Sequence, residues 1–413
     1  IDNCLLYEVY LGRVDILITE DRRLRNKADH LGLSNCVFSI NGFIAKVSAE
    51  NPDLIEYKAL SVEKVYFGNV DSTDSFFDSF RNSYTGFDRW FARKCDEEAY
   101  ICRSDSNKIL GFLYLKTEDV SENYSDIEPP FSPKRRLKVG TFKVESTGFR
   151  LGERFVKIIF DNAQQRNVDE IYVTLFTDRG ELVALEELLY RWGFVYYGIK
   201  HNGGKEEKVL VKFLHKIIDN GTPKLNYPNI SHLCNKFILP IMPQYHTTLL
   251  PDSQLNSENR IDFLGREPHR YALQKVYISW ASTNGAKPGD LILFYRMGLP
   301  GENKKYKSVV STIAIVDEII ENIGSEENLL SLCQNRSVFS VDELKEFWRK
   351  HRYNLKILKF IFVKSLSKRL TLGYLWEHNI IAAPGGPRPF TPITDEQFDM
   401  IVKDSETEIT YVE

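Results

Sequence analysis

Between Lys138 and Asn167 the chain changes from one hydrophobic period to another. Val139, Phe142 and Val144 place β-branched and aromatic side chains in an extended run, which predicts a strand. From Leu151 the apolar positions recur at Phe155, Ile158 and Ile159, three- and four-residue steps that mark one face of a helix. The join is Thr147-Gly148-Phe149-Arg150-Leu151-Gly152, with Arg154 just beyond. Glycine lets backbone approach a neighbour closely. A helix start offers unpaired N–H groups at the positive end of its dipole, a seat for a phosphate. Taken alone, such a join is equally an ordinary strand-to-helix connection.

The pattern continues on both sides. Asp169–Thr177 predicts a strand and Glu181–Trp192 a short helix ending at Gly193-Phe194. After Val195-Tyr196-Tyr197-Gly198, Lys208–Phe213 predicts a last strand. Upstream, Val62–Phe67 predicts a first strand and Ser75–Arg93 an aromatic-rich helical region. Ala99–Arg103 and Ile109–Lys116 predict a hairpin. Glu118–Lys134 is polar and proline-bearing, hence a loop, and leads into the basic run Lys134-Arg135-Arg136. Before all this, Asp2–Tyr10 and Arg22–Leu31 predict helices, with short strands at Val14–Ile18 and Cys36–Ile40. Ile217–His232 reads as a linker, rich in Gly, Pro and Asn. Beyond it the chain becomes β-rich. Strands are expected at Phe237–Ile241, Lys275–Trp280, Leu291–Tyr295, Lys307–Val316 and Lys356–Phe362, and helices at Ser340–Arg349 and Asp395–Val402. Short strands with turn signals suggest a small barrel.

Composition narrows the class. At 413 residues, 43% hydrophobic and 27% charged, the chain should hold two or three globular domains. The net charge of -3 means that nucleic-acid binding, if any, must rest on local patches. Six cysteines without a C-x-x-C pair argue for a reducing, cytoplasmic setting and against structural zinc. No apolar run is long enough to cross a membrane, and no signal peptide is visible, although the chain opens on Ile1 and its N-terminus could have been processed.

Across residues 60 to 215, the order strand, glycine turn, helix, strand, helix, Gly-Phe, strand resembles the GNAT family of acetyl-CoA-dependent N-acyltransferases. The resemblance implies a mixed, mostly antiparallel sheet with flanking helices, its central strands splayed around an acetyl-CoA groove. The family's phosphate turn follows Arg/Gln-x-x-Gly-x-Gly/Ala. Here Gly152 fits the last position, while Arg150 stands where Gly is usual and Thr147 where Arg or Gln is usual. The resemblance places the cofactor against Phe142, Val144, Phe149, Arg150, Leu151, Gly152, Glu153 and Arg154. Transfer needs a base for the amine proton, an N–H for the oxyanion and an acid for the leaving thiolate. Glu145 is the candidate base. The family's leaving-group tyrosine, four residues before Gly-Phe, falls on Leu189, so Tyr190, one step off, is the candidate acid, with Tyr196 and Tyr197 behind it.

Two further resemblances flank this one. KPGDLILFYRMG with YKSVVSTIAIVDEII (287–298 and 306–320) is similar to the PUA-like superfamily near its EVE and ASCH branches, small barrels whose cleft commonly binds RNA or modified bases. It implies a cleft lined by Tyr245, His246, Trp280, Tyr295 and Arg296, although each is also an ordinary core aromatic or satisfied histidine. Arg349, Lys350 and Arg352 supply a basic footprint for a phosphate backbone. The first 55 residues resemble the C-terminal half of a PIN-type nuclease. Asp2 and Asp21 sit where two metal-holding acids would lie, but the other acids are missing, so a docked structural unit without metal is the expectation.

The expected organisation is therefore an α/β and α+β multidomain chain. A partial PIN-like unit covers 1–55, a GNAT-like domain 56–215, a linker 216–233, and a PUA-like domain 234–413. The implied activity is acetylation of an amine with acetyl-CoA, the acceptor being linked to RNA such as tRNA or its aminoacyl end, as in a toxin-like or defence-related effector. Two alternatives stay open. One is an RNA-binding protein whose acyltransferase fold senses acyl-CoA or is inactive. The other is a protein or small-molecule acetyltransferase.

Overall fold

The computed structural model describes residues 2–40, 43, 62–104, 107–145, 151–176, 182–202, 204–216, 221–255, 272–409 and 411–412. At the N-terminus, helix Asp2–Tyr10, strand β1 (Leu17–Ile18), helix Arg22–His30 and strand β2 (Val37–Phe38) form a small α/β unit, with β1 and β2 parallel. Leu6, Val9, Leu24, Ala28 and Val37 make its core. Asp21 caps the second helix, accepting from the amides of Arg23 at 2.8 Å and Leu24 at 3.2 Å. Its carboxylate thus serves the helix end. Among the described residues no cluster of His, Cys, Asp and Glu could hold a metal.

The main sheet is built from β3 (Val62–Tyr66), β4 (Glu98–Arg103), β5 (Ile109–Glu118), β6 (Ile127–Glu128), β7 (Arg136–Val144), β8 (Glu170–Phe176), β9 (Val195–Asn202) and β10 (Lys205–Phe213). Its order is β3-β4-β5-β7-β8-β10-β9-β6, and only β7 and β8 run parallel. The sequence pattern did not mark β9 as a strand, because Tyr196-Tyr197-Gly198 breaks the alternation. Helix Leu151–Gln165 crosses from β7 to β8 and buries Leu151, Phe155, Val156, Ile159 and Phe160 on one face of the sheet. The other face carries the aromatic cluster Phe67, Phe76, Phe77, Phe87, Phe91 and Phe112, of which Phe76, Phe77, Phe87 and Phe91 come from the region expected to be helical. There the chain forms two short helices, Asp78–Ser83 and Phe87–Ala92, because Gly86 at φ +83° breaks the run.

The second sheet contains β11 (Lys236–Ile241), β12 (Gln274–Ser279), β13 (Leu291–Arg296), β14 (Val309–Ile320), β15 (Lys356–Thr371) and β16 (Thr391–Ile393), in the order β12-β15-β14-β13-β11-β16. It is mixed, since β11 and β13 are parallel. Three register breaks along β14 and β15 bend the sheet strongly. The expected closed barrel is not found: among the described residues no pairing joins β12 to β16, and the sheet remains open.

Within the segment read as a linker, residues 223–230 are packed, whereas Leu233 is exposed. Tyr227 is buried, edge-on to Trp192 at 5.7 Å and to Phe160 at 5.4 Å. Ile230, Asn226 and Asn229 are buried beside it. Lys212 on β10, fully buried, donates to the Leu225 carbonyl at 2.5 Å. Gly193, at φ +79°, lies so close that an added Cβ would come 2.0 Å from that carbonyl. One continuous cluster of buried apolar side chains consequently runs from helix Leu151–Gln165 into the second sheet.

Candidate active site

The centre of the main sheet opens into a groove. β7 pairs with β8 for four residues only, from Arg136↔Glu170 to Val139↔Val173. Beyond that point Thr141–Val144 stay paired to β5, whereas Thr174, Leu175 and Phe176 pair with β10. The cause is local. The β5–β7 register shifts between Tyr114 and Leu115, so Gly140 is the extra residue of a bulge. A side chain at Gly140 would meet the Tyr114 ring at 2.7 Å. The bulge turns β7 away from β8, and on that side the β7 edge from Gly140 onward has no strand partner among the described residues.

Alternation along the strands separates the two faces of this opening. Phe142, Val173 and Leu175 face helix Leu151–Gln165, with Phe142 and Phe155 rings 5.6 Å apart. Lys143, Thr174 and Phe176 are placed on the opposite face, where Lys143 Nζ donates to the Phe76 carbonyl at 2.6 Å.

The helix start is held from behind. Phe149 and Arg150 lie outside the described residues. Leu151 is buried in the core. Gly152 is explained by packing, since an added Cβ would sit 2.7 Å from Leu188 Cδ2 of helix Val183–Arg191. Glu153, expected at the cofactor, instead accepts two hydrogen bonds from Arg336 of the second half, at 2.7 and 3.3 Å. Both side chains are nearly buried, and the guanidinium neutralises an acid that would otherwise oppose a phosphate at this helix end. Arg154 is half-buried, close enough to the Cys102 thiol to counter its burial-raised pKa.

Glu145 sits just past β7. Its carboxylate is paired with Lys143 at 2.8 Å and lies 3.7 Å from Lys108, which favours a carboxylate already committed to cations over a free base. Leu189 is fully buried and Tyr190 points to the helix surface, its hydroxyl donating to Glu186 at 2.9 Å while Lys208 donates to the same oxygen at 3.0 Å. Burial and the Glu186 bond push the Tyr190 hydroxyl up to about 12. Serving a leaving thiolate would first break that bond. Tyr197 donates to the Pro130 carbonyl and Tyr196 is exposed.

The sequence reading missed Glu207. It is buried on β10 opposite Phe176, the last residue of β8, with Asn202 and Tyr84 on its carboxylate. The signal was available: Glu207, Val209 and Val211 alternate on one side of β10, so an acid occupies an inward position.

In the second half, several cleft candidates are corrected. His246 is fully buried, bonded to Thr247 Oγ1 at 3.2 Å and Ser311 Oγ at 2.8 Å, and burial lowers its pKa to about 3. It is a neutral structural histidine. Tyr295 and Arg296 are buried as well, and Tyr245 is half-buried against Phe339. Trp280 is different: it is 47% exposed and stacks on His351 with ring centroids 4.3 Å apart and planes 6° from parallel. His351 ends helix Val341–His351, which also carries exposed Arg349 and Lys350, and Arg352 follows, stacked on Tyr353.

No family model matches the chain, and no curated protein matches it. Solved structures do resemble parts of it. One is an IAA acetyltransferase from Bacillus cereus ATCC 14579, 12% identical, covering 38% of this chain and 100% of that one, with a TM-score of 0.27. Another is a GNAT family acetyltransferase from Elizabethkingia anophelis with acetyl-CoA bound, 11% identical, covering 38% and 99%, TM-score 0.28. A third is a mutant of the ZmASCH protein from Zymomonas mobilis, 13% identical, covering 41% and 94%, TM-score 0.28. Likeness at these identities and scores says nothing about activity. No helix among the described residues is long and apolar enough to cross a membrane.

Proposed function

We propose that this chain is a GNAT-type N-acetyltransferase, moving the acetyl group of acetyl-CoA to an amine. The observation that carries the reading is the separation of β7 from β8 after Val139 and Val173, beside the start of helix Leu151–Gln165. The strand order from β3 to β9 and the single parallel pair agree with the family's sheet. The site fits an acyl-CoA. The edge of β7 along Phe142–Val144, without a strand partner on that side among the described residues, offers main-chain groups to an amide-bearing pantetheine arm, and the helix start suits a diphosphate. Leu151, Gly152 and Arg154 lie at that start, with the charge of Glu153 offset by Arg336. The bound thioester supplies an activated acetyl carbonyl. The residues of this chain align it, keep water away and accept the amine's proton.

The second half, which we read as PUA-like, would present the acceptor. Trp280 on His351, with Arg349, Lys350 and Arg352 alongside, combines a stacking surface with positive charge, the combination that favours single-stranded or looped RNA. An RNA-linked amine such as an aminoacyl-tRNA is therefore the favoured acceptor.

Calorimetry of the full chain with acetyl-CoA tests the first part; no binding at 100 µM protein rejects it. Filter retention of total tRNA tests the second. Trp280→Ala combined with Arg349→Ala should weaken retention at least tenfold and flatten its salt dependence, and unchanged retention rejects the RNA reading.

A further inference from the structure

Glu207 has no place in the mechanism drawn above, and its surroundings are unusual for a buried carboxylate. It is 2% exposed. Its partners are neutral: Asn202 Nδ2 donates to Oε1 at 2.9 Å, and the Tyr84 hydroxyl donates to Oε2 at 3.5 Å. Lys205, two residues earlier on the same face of β10, lies over the Phe176 ring at 5.6 Å but gives its hydrogen bond to the Ser83 carbonyl at 3.0 Å, not to the Glu207 carboxylate. Taking a carboxylate out of water without a cation costs several kcal/mol. Such a group is held ready for a positive partner or for a proton.

Its position says which partner. Glu207 pairs with Phe176, the last residue of β8, three residues after β8 has left β7. It shares the face of Val209 and Val211, away from helix Leu151–Gln165 and on the side where Lys143 meets Phe76. Tyr84 reaches it from the end of helix Asp78–Ser83, and the Tyr84 and Phe176 rings lie 4.9 Å apart, making an apolar wall beside the carboxylate. A buried acid beside two aromatic rings is the chemistry that suits an alkyl chain ending in an ammonium group.

We propose that Glu207, positioned by Asn202 and Tyr84, is the acceptor end of this site: it binds the ammonium of a primary alkylamine and takes its proton. The inference rests on the transferase reading, replaces Glu145 as the base, and takes a free primary alkylamine in place of the RNA-linked amine as the acceptor. The balance is simple. The alkylammonium passes one proton to the Glu207 carboxylate, leaving a neutral amine. Its lone pair attacks the thioester carbonyl, the C–N bond forms and the C–S bond breaks. The second amine proton leaves with the thiolate as free thiol. Protonated Glu207 then returns its proton to water.

The test uses the full chain, acetyl-CoA, and cadaverine as the amine, with 1-pentanol as an uncharged control. Three quantities are measured: acetyl-CoA affinity by calorimetry, cadaverine affinity in the presence of CoA, and cadaverine-dependent release of CoA thiol across pH 6 to 10. The wild type should bind cadaverine and ignore pentanol. Glu207→Gln should keep acetyl-CoA affinity within threefold, lose cadaverine affinity at least tenfold, and lose at least 100-fold in kcat/KM, as expected for a removed general base. Tyr84→Phe should lose less and shift the acid limb of the pH profile. Cadaverine binding and turnover that survive Glu207→Gln with an unchanged pH profile would overturn the assignment while leaving the transferase reading intact. A wild type that binds acetyl-CoA but neither binds nor acetylates cadaverine overturns it too. Failure to bind acetyl-CoA at all would instead end the transferase reading, and this inference with it.

Discussion

Lys212 offers a direct measure of how tightly the two halves are joined. Its ammonium is fully buried on β10, with the Leu225 carbonyl as hydrogen-bond acceptor and the Phe160 ring 6.0 Å away. Burial lowers its pKa from 10.5 to about 7. Between those values the unfolded chain holds a proton that the folded chain has released. Stability from this group is therefore lowest below pH 7 and rises with pH until about 10.5. The slope is about 1.4 kcal/mol per pH unit, so the folded state should gain roughly 2.7 kcal/mol between pH 7.5 and 9.5 from this residue. Lys212→Met keeps the volume and removes the titration. It also leaves the Leu225 carbonyl without this donor, a loss of about 1 kcal/mol that does not vary with pH. Urea unfolding of both proteins at pH 7.5, 8.5 and 9.5 gives the comparison, in which all other titrations cancel. The variant should be the more stable at pH 7.5, and its advantage should shrink by about 1.4 kcal/mol for each unit of pH. A stability difference that stays flat across this range would refute a buried, deprotonating lysine at the join.

Other changes probe the same architecture. Gly193→Ala must force a methyl group into the Leu225 carbonyl at positive φ, and should lower stability by at least ~2 kcal/mol, seen as a fall in Tm. Arg336→Ala removes the ion pair to Glu153 and should destabilise by about 3 kcal/mol, and Arg336→Met with Glu153→Gln should recover part of that loss in the same unfolding assay. The His246 ring should stay neutral on acidification, so its NMR ring-proton shifts should hold constant from pH 8 to 5.

The main sheet was legible because its strands carry clear alternation and its helix a clear 3.6 period. Val139, Phe142, Leu151, Phe155 and Ile159 all lie where that pattern put them. The splay was expected from the resemblance but not readable from the strand pattern: it depends on a bulge at Gly140, and a lone glycine in a strand does not announce its register. Glu153 was expected at the cofactor, and its partner Arg336 could not be foreseen because it lies 183 residues away. Tyr227 was lost to a local signal. Proline, glycine and asparagine around it spelled a tether, yet two of those asparagines are buried with it. His246, Tyr295 and Arg296 look like binding residues by type, but only three-dimensional burial distinguishes a core network from a cleft. Glu207 was hidden for the opposite reason, because acids in a run such as Lys205-Glu206-Glu207-Lys208 usually face solvent.

The bond between Arg336 and Glu153 ties the first turn of one half to a loop of the other. Whatever docks on the open sheet and shifts that loop would tug directly on the place where a nucleotide is expected to rest. Cutting the chain after residue 216 would sever this link and strip the cover from Phe160 and Trp192, so the first half is not expected to survive as a free-standing fragment.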